Sequence, residues 1–419
     1  MRYYDYDETE ISRNNKIPYD NEPISRNRTA PSVRSSKGYA QNRTVSILLV
    51  VLIAFNIVLG YLVFKLTMST DRNSPPVDVT YVINGESIDT TYVASKAMPS
   101  AVCIASGYNS TVNETNISYE NFQSMSDRGA GVIIDINKSS GDATIITCEH
   151  VVSGNQDSIY ILLSDSYKPI KATYIGGIVS KDIAVLKISG SSVIKNSSAM
   201  AAEIADSAYV SYGNTVLAIG NPMSSGFDTS AGQIRKPQTL VNVSNIGQER
   251  VIATDVPINS GNSGGGLFNA KGELIGIVNA KIENVSIDNY SYAIPSTLAL
   301  SIADSIMRNN GFAKAAVLGC TFMITESGRQ QQIVNGNIIY TDTVVVKNIQ
   351  SGSVMDKAGV MDNDIILSFT YHESMSVEMI SMYSFEDHSY RLSKGDKVKF
   401  TVKRGSSVID CIATIENIV

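Results

Sequence analysis

The sequence predicts an all-β-dominated protein: two β-rich units in tandem, preceded by one membrane-spanning helix. Three observations carry this. From about Met98 to Pro295, short apolar runs rich in Val, Ile and Thr are broken by Gly, Asn and Ser, the pattern of a barrel or sandwich. A second β-rich stretch runs from Leu318 to the end. Between the polar start and the first strands lies the run VSILLVVLIAFNIVLGYLVF at 45–64. The length of 419 residues suits two to three domains.

Residues 1–44 are polar, first acidic and then basic, with Arg26, Arg28, Arg34, Lys37 and Arg43. Ile-Ser-Arg-Asn occurs twice, at Ile11 and Ile24. With so few aliphatic groups the segment reads as a disordered tail. Residues 45–65 form the membrane helix, because about 20 residues at roughly 1.5 Å each cover a hydrocarbon layer of roughly 30 Å. Within 45–64 Asn56 is the only strongly polar side chain, and no A-x-A site follows, which argues against a cleaved signal peptide. Basic residues crowd its N-terminal flank, so the tail is expected in the cytoplasm and the remainder outside. Residues 66–95, with Pro-Pro, Asn and Ser, read as a linker.

The first β-rich unit is expected over 96–312. Its strands are read at Ala130–Ile136, Ala143–Thr147, Ser158–Leu163, Ile183–Ile188, Thr215–Ile219, Val251–Asp255 and Leu274–Val278. Tyr108–Asp127 reads as an exposed loop insertion, and 296–310 as a helix stopped by Gly311. The second unit is expected over 315–419. It has strands at Val344–Ile349, Asp364–Phe369 and Lys397–Lys403, and a short helix at Ser353–Ala358.

Composition narrows the function. The net charge of −6, with no long basic run, argues against nucleic acid as the main partner. Cys103, Cys148, Cys320 and Cys411 form no CxxC pair, which argues against a zinc site. They read as small core residues, and their spacing names no disulfide.

Three residues stand out as chemistry. Ser263 lies in Asn259-Ser260-Gly261-Asn262-Ser263-Gly264-Gly265-Gly266, where glycines allow a tight turn and bring backbone N–H groups close to a reacting carbonyl. His150 ends an apolar strand, and Asp182 opens another. Each alone has an ordinary structural explanation. Their order His, Asp, Ser is that of a chymotrypsin-like triad. The string also fits G-x-S-x-G, but that hydrolase fold places its histidine last, and only His372 and His388 follow, both in the second unit. Asp255 is a rival acid, read as shaping the turn.

The segments Gly129–Ile134, Thr147–Val152, Asp182–Ile188, Leu217–Pro222, Gly261–Leu267, Gly272–Ile277 and Tyr292–Pro295 together resemble the HtrA/DegP family of trypsin-like serine proteases. The resemblance implies a chymotrypsin-like double β-barrel followed by a small α+β PDZ domain. It implies His150 as general base, Asp182 as its orienting partner, Ser263 as nucleophile, and the Gly261 and Ser263 N–H groups as oxyanion hole. Ile258, Ile282 and Tyr290 are candidates for the specificity pocket, and carry no acid, which favours cleavage after small or medium aliphatic residues. Leu318-Gly319-Cys320 corresponds to a PDZ carboxylate-binding loop. Ser351–Val360, Asp362–Ile366 and Lys394–Val398 follow the same domain pattern, although Tyr371–Arg391 is longer and more polar than expected.

Two departures concern the site. Cys148 and Glu149 stand where the family has Thr-Asn, and Gly266 stands where it has Pro or Ala. The expectation is an anchored, extracytoplasmic bacterial endopeptidase acting on unfolded or damaged proteins, without cofactor or metal. Peptide C-termini are expected at the PDZ domain, and a homotrimer is expected from the resemblance. The alternative is a latent or inactive protease fold serving as a membrane-tethered PDZ scaffold or chaperone.

Overall fold

The computed structural model describes residues 89–107, 117–221, 226–243, 247–280, 290–334, 337–372 and 374–419. The polar tail and the apolar segment at 45–65 lie outside them. Among the described residues, no helix is long and apolar enough to cross a membrane.

The chain enters through helix α1 (Thr90–Ala97), capped by the Asp89 carboxylate on the Thr91 and Tyr92 amides. Val93 and Ala97 are fully buried, so this helix is part of the first core although the sequence reads as linker there. Strand β1 (Ala101–Ser106) is buried throughout. Helix α2 (Tyr119–Gln123) follows, with Phe122 and Met125 packed against Cys103, Ala105, Tyr160 and Leu162. The expected exposed insertion is therefore corrected over 117–126: Ile117, Phe122 and Met125 form an apolar contact that covers β1. Residues 108–116 are outside the described set.

Strands β2 (Asp127–Asn137), β3 (Asp142–Thr147), β4 (Ile159–Leu163), β5 (Ile170–Ile178) and β6 (Ile183–Ile188) close a barrel with β1 in the order β1-β2-β3-β6-β5-β4. Between β3 and β4 lies the one-turn helix α3 (Glu149–Val152). Short helix α4 (Ser192–Asn196), capped by Ser191, leads to the second barrel. It is built from β7 (Thr215–Gly220), β8 (Asp228–Val243), β9 (Gly247–Thr254), β10 (Gly266–Asn269), β11 (Leu274–Val278) and β12 (Ser291–Pro295), in the order β10-β11-β12-β9-β8-β7. Closure leaves no free strand edge in either barrel. Every barrel strand read from the sequence is present; β1, β5, β8, β10 and β12 are additional.

Helix α5 (Ser296–Arg308) seals the first barrel with Leu298, Ala299, Ile302, Ala303 and Ile306. The C-terminal unit is an antiparallel sheet of β13 (Thr321–Val334), β14 (Asn337–Lys347), β15 (Ile365–Tyr371), β17 (Lys397–Arg404) and β18 (Ser407–Thr414), in the order β13-β14-β15-β17-β18. Strand β16 (Met375–Glu378) pairs with β15. Helix α6 (Val354–Lys357) and helix α7 (Glu386–Ser389) complete it around Phe369, Phe385 and Phe400. Strand β13 is at the sheet's edge.

Candidate active site

His150 sits in α3, at the end of β3. Asp182 follows a 3-10 turn, Val179–Lys181, and precedes β6. Because β3 and β6 are neighbours in the first barrel, the two residues meet. The His150 Nδ1 lies 2.6 Å from Asp182 Oδ2, and the His150 backbone N–H donates to Asp182 Oδ1 at 2.9 Å. The Glu149 N–H donates to the Asp182 carbonyl at 3.2 Å. Asp182 is buried and has a left-handed backbone, φ 49°.

A third donor was not legible in the sequence. Asn279, just beyond β11 and buried, donates its Nδ2–H to Asp182 Oδ2 at 2.9 Å. An asparagine at a strand end belongs to no motif, so only the fold reveals this partner. Three hydrogen bonds to one carboxylate fix its plane.

Ser263 lies in the turn before β10. Its carbonyl accepts from the Ala130 N–H at 2.8 Å, tying the turn to the first barrel. Gly264 has φ +83°, and a Cβ there would lie 2.2 Å from both the Ala130 carbonyl and Thr147 Oγ1. No side chain fits, and the serine turn consequently abuts the His150 segment. The Ser263 hydroxyl accepts from the Ala280 N–H at 3.1 Å. Among the described residues this is its hydrogen bond, and none joins it to His150.

Gly261 has φ +98°, and its carbonyl accepts from the Asn221 N–H at 3.3 Å. Among the described residues neither the Gly261 nor the Ser263 N–H donates to an acceptor, so both are available to a ligand oxygen.

The departures have physical correlates. Cys148 is buried, its thiol donates to the Val278 carbonyl at 3.3 Å, and burial, with Asp182 nearby, pushes its pKa well up. Ligand atoms of Cys148, His150 and Asp182 lie within 4.8 Å of one another. A metal there would have to break the His150–Asp182 hydrogen bond. Gly266 leaves room for Phe268: a Cβ would lie 2.4 Å from its ring.

The pocket candidates separate. Ile258 packs against the interior of the second barrel, whereas Tyr290 joins Val241, Val251, Ala253 and Tyr292 in another cluster. Ile282 lies outside the described residues. Asp255 accepts from the Gln233 N–H at 2.6 Å and pairs with Arg235, both in β8, so its side chain ties the end of β9 to β8 and the expected role in shaping the serine turn is corrected. His388 is largely buried beside Tyr371, and burial, reinforced by Arg391, lowers its pKa to about 4. His372 pairs with Asp396. Both belong to the C-terminal unit. All four cysteines are free thiols.

Leu318 is buried, Gly319 has φ +73° and Cys320 is half-buried. Their amides have no acceptor among the described residues, and Leu318 and Gly319 line a cavity of about 240 Å³ with Gln350 and Ser353.

Residues 129–277 match the trypsin-like peptidase domain. The Do-like serine protease HtrA of Lactobacillus helveticus is 29% identical, over 69% of this chain and 68% of that one. Its namesake from Lactococcus lactis subsp. lactis is 33% identical, over 58% of this chain and 60% of that one. The serine endoprotease DegS of Haemophilus influenzae is 28% identical, over 74% of this chain and 83% of that one. The solved HtrA-type protease AlgW with tripeptide aligns at TM-score 0.49 and 24% identity, covering 78% of this chain and 97% of that one. The class is thus the trypsin-like serine endopeptidase. Within that class, the chain is a relative of the HtrA/DegP proteases.

Proposed function

We propose that this chain is a membrane-anchored, extracytoplasmic endopeptidase that cleaves unfolded or damaged proteins through His150, Asp182 and Ser263. The observation that carries the reading is the Asp182 carboxylate, held by His150 Nδ1 at 2.6 Å and Asn279 Nδ2 at 2.9 Å. A carboxylate in that place keeps the imidazole proton on Nδ1 and leaves Nε2 as the base. Once the Ser263 hydroxyl turns to Nε2, His150 takes its proton while Oγ attacks the scissile carbonyl. The oxyanion then meets the Gly261 and Ser263 N–H groups. His150 returns the proton to the leaving amine, and water hydrolyses the acyl-enzyme by the same steps.

In the C-terminal unit, the three unmatched amides at Leu318–Cys320 and the edge position of β13 support a PDZ-like role. A peptide C-terminus would place its carboxylate on the loop and add a strand to β13. The apolar run at 45–65 supplies the proposed anchor, the relatives are bacterial proteases, and a homotrimer is proposed from the family resemblance alone.

One observation favours a latent resting state: the Ser263 hydroxyl is held by Ala280, not by His150. The test is casein cleavage by the full chain and by Ser263→Ala, each with and without a peptide bearing a free C-terminus. Cleavage by wild type alone supports the protease. Activity that appears only with peptide supports a latent one. If wild type and the variant are equally inert in both conditions, the scaffold alternative stands.

A further inference from the structure

We infer that Glu386, acting through Lys181, is a positioning residue for Asp182, so that the C-terminal unit completes the catalytic site. The inference rests on Asp182 being the residue that orients His150.

Asp182 is a non-glycine residue in left-handed backbone, a conformation that persists only where surroundings hold it. Its N–H closes the 3-10 turn on the Val179 carbonyl at 3.2 Å, so that turn sets the direction of its side chain. Yet none of the three turn residues is buried, and Val179 is 62% exposed. The pairing of Ile178 with Ile183 holds the ends of this hairpin loop, while side-chain burial adds nothing within it. The last turn residue, Lys181, reaches across to α7, where its Nζ lies 2.6 Å from Glu386 Oε1. The two side chains are 22% and 34% exposed, so the pair is partly shielded from water.

Helix α7 does not depend on that pair for its place. The next residue, Asp387, is buried and paired with Arg250 of β9, whose guanidinium lies 5.1 Å from the Tyr383 ring centroid. Arg308 of α5 donates to the Tyr390 carbonyl at 2.8 Å and to Ser393 Oγ at 2.9 Å. Ser381 Oγ donates to Gln238 Oε1 at 3.0 Å. With the helix anchored by these contacts, Glu386 is a fixed charge beside a partly exposed turn. It holds Lys181, and Lys181 holds the backbone that aims Asp182 at His150.

The test compares Glu386→Gln, Lys181→Met, the exchange Lys181→Glu with Glu386→Lys, and Arg308→Met in the full chain. Steady-state cleavage of a chromogenic peptide and labelling of Ser263 by a fluorophosphonate are measured. So is the far-downfield proton resonance of His150 Nδ1–H in a Ser263→Ala background. Glu386→Gln and Lys181→Met are expected to lower kcat and labelling about three- to tenfold with KM unchanged. They should also move the Nδ1–H resonance and shift Tm by less than about 2 °C. The exchanged pair should recover most of the loss. Arg308→Met, which removes docking bonds without touching Lys181, should lower Tm and leave kcat within about twofold. An unmoved resonance, or an unchanged kcat with a lowered Tm in Glu386→Gln, overturns the inference and leaves the pair a docking contact. A wild type inert to substrate and phosphonate both with and without a peptide bearing a free C-terminus, whose resonance nonetheless moves in Glu386→Gln, would overturn the protease reading and keep the positioning role.

Discussion

Val278, Asn279 and Ala280 each hold a different part of the site. The Val278 carbonyl accepts from Gly264 N–H at 2.8 Å and from the Cys148 thiol at 3.3 Å. Asn279 holds Asp182, and Ala280 holds the Ser263 hydroxyl. Replacing Asn279 with Leu removes a donor to a buried carboxylate, an interaction worth roughly 1.5–3 kcal/mol. The expected result is a fall in kcat of about ten- to a hundredfold with little change in KM, measured on a peptide substrate; unchanged kcat would remove Asn279 from the site. At Gly266, Ala is expected to destabilise by about 1–3 kcal/mol because its Cβ would enter the Phe268 ring. Thermal unfolding should show the loss, and Phe268→Leu in the same chain should restore part of it. Were Gly266→Ala as stable as wild type, the proposed packing reason for this glycine would fail. His150, Asp182 and Ser263 could be proposed from short local patterns and their order, and the structure joins His150 to Asp182. Asn279 was not, because its partner is 97 residues away in sequence.

At the scale of elements, strands with their own apolar pattern were legible, and the polar ones were not. Strand β8 reads DTSAGQIRKPQTLVNV and buries only Ile234 and Val241, so alternation does not reveal it. Helix α7 is four residues long, too short for any periodicity. The polar stretch Tyr371–Arg391 looked out of place for a groove, yet Ser381, Ser384, Asp387 and Ser389 are buried. Burial pushes the Asp387 carboxyl up to about 6, against the opposing pull of the Arg250 guanidinium. In the unfolded chain the same carboxyl titrates near about 3.9. The folded state therefore holds this proton more tightly, and the group's favourable contribution is full at low pH and is lost as pH rises through about 6. Relative to Asp387→Asn, the wild-type Tm should decline more steeply between about pH 4 and 6. Parallel Tm profiles for the two proteins would refute this.

For the molecule as a whole, the barrels and the C-terminal unit meet through the Tyr212–Tyr340 ring contact and through several polar contacts on 381–393, where Arg250 and Asp387 form a buried pair. Arg250→Met alone leaves a buried, unpaired carboxylate, and is expected to cost about 3–5 kcal/mol in denaturant unfolding of the full chain. Adding Asp387→Leu should recover most of that loss; additive effects of the two substitutions would mean that the pair is uncoupled. The sequence by itself determined the barrel strands with strong apolar runs, the order of the proposed triad residues and the Gly-rich turn at Ser263. Those features depend on neighbours a few residues apart, where spacing and side-chain type act directly. Only the tertiary structure decided that Asn279 supports Asp182, that Ala280 holds the serine hydroxyl, and that Glu386 reaches Lys181. Each of these contacts joins distant segments, and barrel closure and the docking of α7 bring them within hydrogen-bonding distance.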